Sequence, residues 1–277
     1  MSKILVVGNP SLDQIDNVYF GAGGPVSYIS NILSSYDHDV TMFSSFADDF
    51  PIECLNPKIH LIKNISKNTT KFILSYKNDL REFKILAEAT KLDLANLKKS
   101  IDKYDVVFFA PILNEININQ VNQLVNSNDK YFVGVPQGWI RRRDNKKILI
   151  NFNRLKFLPK LEMIFFSEEE IKSSNLNIND LKNLANILVI TRGHIGSTIF
   201  YQEQSFNFSS YHVKTIDTTG AGDIYAAVFA MTFFSTKELI YSANLASKIA
   251  SESTKYWGME GISKLTMATP FFVVKYA

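Results

Sequence analysis

Asp217-Thr218-Thr219-Gly220-Ala221-Gly222-Asp223 runs directly into 224–234, an almost wholly apolar stretch of helix-tolerant residues. Gly220 and Gly222 carry no Cβ, so the backbone can turn sharply and bring its N–H groups close to an anion. A helix opening near Gly222 aims the positive end of its dipole at the same point. The result is a phosphate-sized anion trap with the Asp223 carboxylate at its lip. A transferring phosphoryl group spreads charge over several oxygens, and donors fixed in its direction stabilise it without reorganising. Asp223 then stands where it can take a proton from an attacking hydroxyl. Acidic residues also serve as ordinary helix N-caps. Two carboxylates, two threonines and two glycines in seven residues exceed what a cap requires.

Upstream of this run, short apolar segments alternate with helical patterns. The strand-like segments are Ile4 to Val7, Val40 to Phe46, Val106 to Ala110, Tyr131 to Val135, Met163 to Phe166, Ile187 to Thr191 and Thr198 to Tyr201. The expected helices are Pro25 to Ser35, Asn119 to Asn126, Asn179 to Asn186, Ile224 to Phe234 and Lys237 to Tyr256. Such alternation predicts an α/β fold of βαβ units with a mainly parallel central sheet. Val106-Val107-Phe108-Phe109 is apolar on both faces, as a strand covered by helices on each side must be. Between Thr69 and Leu86 the pattern changes: two extended segments flank Lys77-Asn78-Asp79, and Phe72, Leu74 and Tyr76 alternate with Lys71, Ile73 and Ser75. That predicts a hairpin. With Asp13 to Phe20 it would form a small β-sheet lid (about 11–20 and 69–88) on a single domain spanning 1–277. An exposed lid of this kind is also a surface through which a homodimer can pair.

A chain of 277 residues with 46% hydrophobic and 21% charged residues fits an ordinary globular domain. The net charge of +3 is not gathered into a basic block, which argues against nucleic acid as a partner. Cys54 is the only cysteine, so an intrachain disulfide and a cysteine-based zinc site are excluded. His38, His60, His194 and His212 lack metal-ligand spacing. No apolar run approaches the roughly 20 residues that span a bilayer. A cytoplasmic protein without a membrane partner is expected.

The run Asp217 to Asp223 resembles the phosphoryl-transfer motif of the PfkB-type, or ribokinase-like, carbohydrate kinases, and the likeness extends over nearly the whole chain. It implies a three-layer α/β/α domain, ATP with Mg2+ as donor, and a small sugar, polyol or nucleoside as acceptor. Asp223 takes the place of the family's base, and Gly220, Ala221 and Gly222 that of its anion hole. In Gly8-Asn9-Pro10-Ser11-Leu12-Asp13, after the first strand, Asp13 matches the acid that holds substrate hydroxyls, with Ser11 beside it. Gly23 and Gly24 match the paired glycines that close over substrate. Many sugar-specific members have asparagine four residues later, where this chain has Tyr28, so its substrate contacts must differ.

Ser167-Glu168-Glu169-Glu170 falls where the family carries Asn-x-x-Glu. Glu170 fits the acid linked to magnesium, through water, while Ser167 replaces the asparagine. Glutamates in a first turn also suit the helix dipole whatever their function. Thr191-Arg192-Gly193-His194-Ile195-Gly196 resembles the nucleotide loop, giving Thr191, Arg192, Gly193 and Gly196 as phosphate contacts. Asn244 lies on a segment like the adenine-side helix. Asp217 corresponds to the aspartate around which some relatives bind a monovalent cation such as K+.

Gln137-Gly138-Trp139-Ile140-Arg141-Arg142-Arg143, taken with Tyr28, is similar to the inositol-kinase branch. Gln137 is a candidate polyol contact, and the arginines read as a solvated patch. A non-catalytic sensor on the same fold is the rival reading. No Gly-x-Gly-x-x-Gly follows the first strand, which argues against a dehydrogenase.

Overall fold

A computed structural model describes residues 1–277 apart from 16–18, 78–79, 146, 173, 175 and 269–277. In chain order its first half comprises β1 (Lys3–Val7), β2 (Ser11–Ile15), β3 (Tyr19–Gly23), α1 (Pro25–Ser35), β4 (Asp39–Phe46), β5 (His60–Ile65), β6 (Thr70–Lys77), β7 (Leu80–Ala87), β8 (Val106–Phe109), α2 (Ile118–Asn126) and β9 (Tyr131–Gly134). There follow α3 (Gln137–Ile140), β10 (Arg141–Asp144), β11 (Lys147–Ile150), β12 (Leu161–Ser167), α4 (Glu168–Lys172), α5 (Ile178–Lys182), β13 (Ala185–Thr191), β14 (Ser197–Tyr201) and β15 (Gln204–Phe208). The chain closes with α6 (Ala221–Thr236), α7 (Leu239–Ser253) and α8 (Glu260–Ala268).

The main sheet has nine strands in the order β15-β14-β13-β12-β9-β8-β1-β4-β5. From β13 to β5 every pairing is parallel, and β14 and β15 add antiparallel pairings at one edge. Successive side chains of a strand face opposite sides, so β1 divides itself between two cores. Ile4 and Val6 join the layer containing α1, α6 and α7, while Leu5 and Val7 join the layer containing α2, α3 and α5. Helix α6 is buried from Asp223 to Phe233 and apolar on all sides. A helix of that kind belongs to the interior, and its position fixes the anion loop at its N-terminus against the sheet. This is the ribokinase-like α/β/α fold.

A second sheet of six strands, ordered β10-β11-β7-β6-β2-β3, stands beside the first. The hairpin between Thr69 and Leu86 is present as β6 and β7, although 78 and 79, at its tip, lie outside the described residues. The expected segment Asp13 to Phe20 is divided into β2 and β3, with 16–18 likewise outside. Phe72 and Ile85 pair across this sheet and pack on Ile112 and Leu113, which tie it to the loop after β8. The sheet is larger than expected because the arginine segment forms the hairpin β10–β11, which pairs with β7.

Two helix boundaries differ from expectation. The helix expected to reach Asn186 stops at Lys182, since an Asn177–Asp180 capping box starts it and Ala185 already pairs with Leu161 of β12. Lys237, expected to begin a helix, instead ends α6 with φ of 59°, and α7 starts after it at Leu239. Strands β5 and β15 escaped sequence reading. In β5 most side chains are at least partly exposed, so an edge strand there shows no apolar run.

Candidate active site

Gly220 adopts a left-handed conformation, φ 76°, which a residue without Cβ reaches at little cost. The first helical bond of α6 runs from Ile224 N to Gly220 O. The Ala221 N–H is given to Thr218 O at 3.2 Å, while the amides of Gly222 and Asp223 belong to the open N-terminal turn, where backbone donors and the dipole favour an anion. A side chain at Gly222 would meet nothing within 4 Å, so the space over this turn is open.

The loop leading in is held by Asp217. Its Oδ1 accepts from Thr219 N at 2.9 Å and Thr219 Oγ1 at 2.7 Å, and its Oδ2 accepts from Gly258 N at 2.9 Å. Both Ile216 N and Asp217 N donate to the Thr254 carbonyl. Asp217 thus staples the anion loop to the end of α7.

Asp223 is buried in the first turn of α6. Burial pushes its carboxyl up to about 7; Arg141 pulls the other way, and Glu170 and Asp13 push further up. The carboxylates of Asp13 and Glu170 and the Arg141 guanidinium therefore share the field around Asp223. Glu170 is itself raised, chiefly by burial. Its Oε2 accepts from Ser167 N at 2.8 Å, and Ser167 Oγ accepts from Glu170 N at 3.2 Å, a reciprocal cap at the start of α4. Ser167 thus has a definite task as the cap. Among the described residues no group of three or more His, Cys, Asp and Glu could hold a metal.

Asp13 enters from the second sheet. Its Oδ1 accepts from Ser11 Oγ at 2.9 Å, and a Cβ on Gly23 would stand 2.4 Å from its Oδ2, so Gly23 makes room for this carboxylate. Gly24, with φ of 88°, begins α1 where any Cβ would crowd Ser11 N and Asn9 O. Ser11, Asp13, Gly23 and Gly24 therefore form one tight corner.

Tyr28, expected among the substrate contacts, is buried, and its ring lies directly beneath Gly220. Thr191 ends β13 beside Ser167, with its hydroxyl donating to Phe166 O at 3.4 Å. Arg192 donates to Asn207 Oδ1 at 3.2 Å, and Gly193 and Gly196 turn the loop with positive φ. Ser247 Oγ donates to Ser209 O, placing α7 against the neighbouring loop. Asn244 is exposed on α7, and Gln137 is half-buried in the first turn of α3.

Sequence reasoning missed two residues. Arg142 and Arg143 are exposed, in keeping with a solvated patch, but Arg141 is half-buried and bears on both Asp223 and Glu170. The signal was the apolar pair Trp139-Ile140 just before it, which anchors that end of the strand in the core. Glu115, fully buried, accepts from Asn9 N, Ile112 N and Leu113 N and so fixes the loops after β1 and β8. A lone glutamate in a loop carries no such signal.

The sequence profile of the pfkB family carbohydrate kinases matches residues 58–263. The chain belongs to this family. No protein of curated function matches it in sequence. Among solved structures, a pyrophosphate-dependent kinase in the ribokinase family in complex with sulfate superimposes with a TM-score of 0.77 at 17% identity, over 94% of this chain and 99% of that one. Thermotoga maritima ribokinase gives 0.69 at 15% identity over 96% and 100%. The nucleoside kinase of Methanocaldococcus jannaschii gives 0.64 at 17% identity over 97% and 99%. At such identities the likeness concerns the fold.

Membership of the pfkB family makes this protein a kinase. Among the described residues no helix is long and apolar enough to cross a membrane. Beside the anion loop of this pfkB-family chain two large apolar side chains are exposed, Ile216 at 50% and Trp257 at 57%. Ile216 and Trp257 directly adjoin Asp217 and Gly258, which the loop staple joins.

Proposed function

We propose that the protein transfers the γ-phosphoryl group of ATP to a hydroxyl of a small polyol, sugar or nucleoside, with an inositol-like polyol the leading acceptor. The observation that carries this reading is Asp223, a buried carboxyl tuned to about 7 at the open N-terminal turn of α6. A base with that affinity for protons is suited to take one from an alcohol at neutral pH. The backbone from Gly220 to Gly222 receives the charge of the transferring group, and Arg141 adds a fixed positive charge beside it. Asp13 accepts hydrogen bonds from the acceptor's other hydroxyls and so orients the attacking one. Mg2+ supplies charge neutralisation on the donor phosphates. Glu170 fits as its partner through water, because one carboxylate is all this cation requires from a protein when phosphates supply the rest. The second sheet, reaching the site through Asp13, serves as the lid that excludes water.

The choice of ATP rests on the apolar surface beside the anion loop. Pyrophosphate has no use for exposed Trp257 and Ile216, whereas a nucleobase does. Base–aromatic stacking is worth about 1–3 kcal/mol, so Trp257→Ala should raise the KM for ATP about tenfold and leave kcat nearly unchanged. Pyrophosphate is the second donor reading, favoured by the fold likeness to pyrophosphate-dependent kinases. Product release measured with each donor across inositols, pentoses, hexose phosphates and nucleosides decides between them. An unchanged KM for ATP in Trp257→Ala, together with turnover on pyrophosphate, would reverse the choice. Tight ligand binding without turnover on any acceptor would instead mark a sensor.

A further inference from the structure

Glu115 lies in the loop between β8 and α2 and is 4% exposed, so it does not reach an acceptor in the site. Its carboxylate nevertheless joins two segments far apart in the chain. Oε1 accepts from Asn9 N at 2.9 Å and from Ile112 N at 2.8 Å, and Oε2 accepts from Leu113 N at 2.8 Å. A buried carboxylate with main-chain amides on both oxygens is a fixed point, since moving any partner leaves a charge or a donor unpaired away from water. Each segment held in this way leads to Asp13 by its own route. Asn9 opens the loop that enters β2, and its side chain is held as well: Oδ1 accepts from Ser45 N at 2.8 Å, and Nδ2 donates to Thr90 O at 3.0 Å. A Cβ on Gly24 would stand 3.2 Å from Asn9 O, so Asn9 borders the corner formed by Ser11, Asp13, Gly23 and Gly24. On the second route, Ile112 and Leu113 pack against Phe72 and Ile85. Phe72 of β6 is the register partner of Asp13 in β2. The Glu115 carboxylate thus holds both the start of the segment that carries Asp13 and the support of the strand beside it.

We propose that Glu115 is the positioning residue of Asp13 and, through it, of the phosphate acceptor. The second half of this inference rests on the reading of Asp13 as the group that accepts from the acceptor's hydroxyls. The donor half of the site is fastened elsewhere: Asp217 binds Thr219 and Gly258, and α6 is packed into the core on the α1 side of the main sheet. Loosening the bonds of Glu115 should therefore impair the acceptor and spare the donor.

The test uses the full chain with ATP as donor and myo-inositol as acceptor. Glu115→Gln keeps the shape of the side chain but sets its NH2 against a main-chain N–H, donor against donor. The KM for myo-inositol should rise about tenfold or more, the order expected of a lost hydrogen bond to a charged group, while the KM for ATP stays within about twofold. Glu115→Asp keeps the charge and draws the carboxylate back by one methylene from Asn9 N, so it should show the same split with less loss of stability. Leu181→Ala, which opens a cavity around α5, is the control for a merely structural loss: it should lower the melting temperature and leave the ratio of the two KM values unchanged. Residues that act through one another are not additive, so Asp13→Asn with Glu115→Gln should have the same kcat/KM as Asp13→Asn alone. Equal rises in both KM values, or additive losses in the double variant, overturn the proposal. Deuterium exchange without substrates separates its failure from that of the kinase reading. In Glu115→Gln the amides of β2 should exchange about tenfold faster relative to those of α6, reporting the local loosening of Asp13. Unchanged protection of β2 overturns the proposal whatever the kinetics show. Lost protection in a protein whose parent phosphorylates no acceptor upholds the hold of Glu115 on Asp13 and refutes only the kinase reading.

Discussion

Asp223→Asn should lower turnover by about 10²–10⁴-fold while leaving donor binding intact. That range is what a positioned general base supplies. Asparagine keeps the shape of the side chain and leaves the amides from Gly220 to Gly222 where they are, so the donor loses no contact. The pH dependence gives an independent signature. Asp223 acts when ionised, and with its carboxyl pushed up to about 7 by burial, kcat/KM should rise with pH through that value. In the asparagine variant that limb should vanish. Stability should move the opposite way. The folded protein holds the Asp223 proton up to about pH 7, whereas an unfolded aspartate releases it near 3.9. Between these values the native state binds more protons, so the contribution of Asp223 to stability falls as pH rises from about 4 to about 7. The variant should therefore melt higher than the parent at pH 8 and show less loss across that window. Turnover within a few-fold of the parent at pH 8 would refute the assignment of the base.

The residues around Asp223 differ in how far sequence reveals them. Gly220, Gly222 and Asp223 were legible because the constraint is local: a left-handed turn, a helix start and a carboxylate follow one another in the chain. Asp13 and Glu170 were legible at one remove, as acids that follow within a few residues of β1 and β12, strands whose ends a parallel sheet brings to its ligand side. Arg141 was hidden because its side chain matters only once β10 joins the second sheet, and nothing in Arg141-Arg142-Arg143 says which of three identical residues turns inward. Tyr28 was legible only as to its neighbourhood. Its position after paired glycines indicated nearness to the site, but only the packing of α1 against α6 shows that its ring supports the loop from below. The edge strand β5 went unread for a related reason, since half-exposed strands lack the apolar run that marks buried ones.

That support makes Gly220→Ala the second severe substitution. A Cβ there would lie 2.2 Å from Tyr28 Cε1, 2.3 Å from Cδ1 and 2.5 Å from Cζ, and the alanine would also have to hold φ at 76°. The left-handed conformation costs about 1–2 kcal/mol, and forcing atoms into a packed core about 1–3 kcal/mol. A combined loss of about 2–5 kcal/mol should lower the melting temperature by several degrees. Turnover should suffer more than stability. Tyr28 is 2% exposed, so the loop must yield rather than the ring, and a displacement of about 1 Å in a group that positions the reaction costs about 10²-fold. Gly222→Ala is the control that separates the two effects. Its Cβ meets nothing in the protein and lies in a helical turn, so the variant should fold at least as well as the parent and yet lose turnover, because the methyl group occupies space meant for the anion. Tyr28→Ala introduced into Gly220→Ala removes the clash and leaves the backbone strain. Recovery of part of the lost turnover in that double variant would assign the damage to displacement of the loop by the ring, and no recovery would assign it to the left-handed conformation alone.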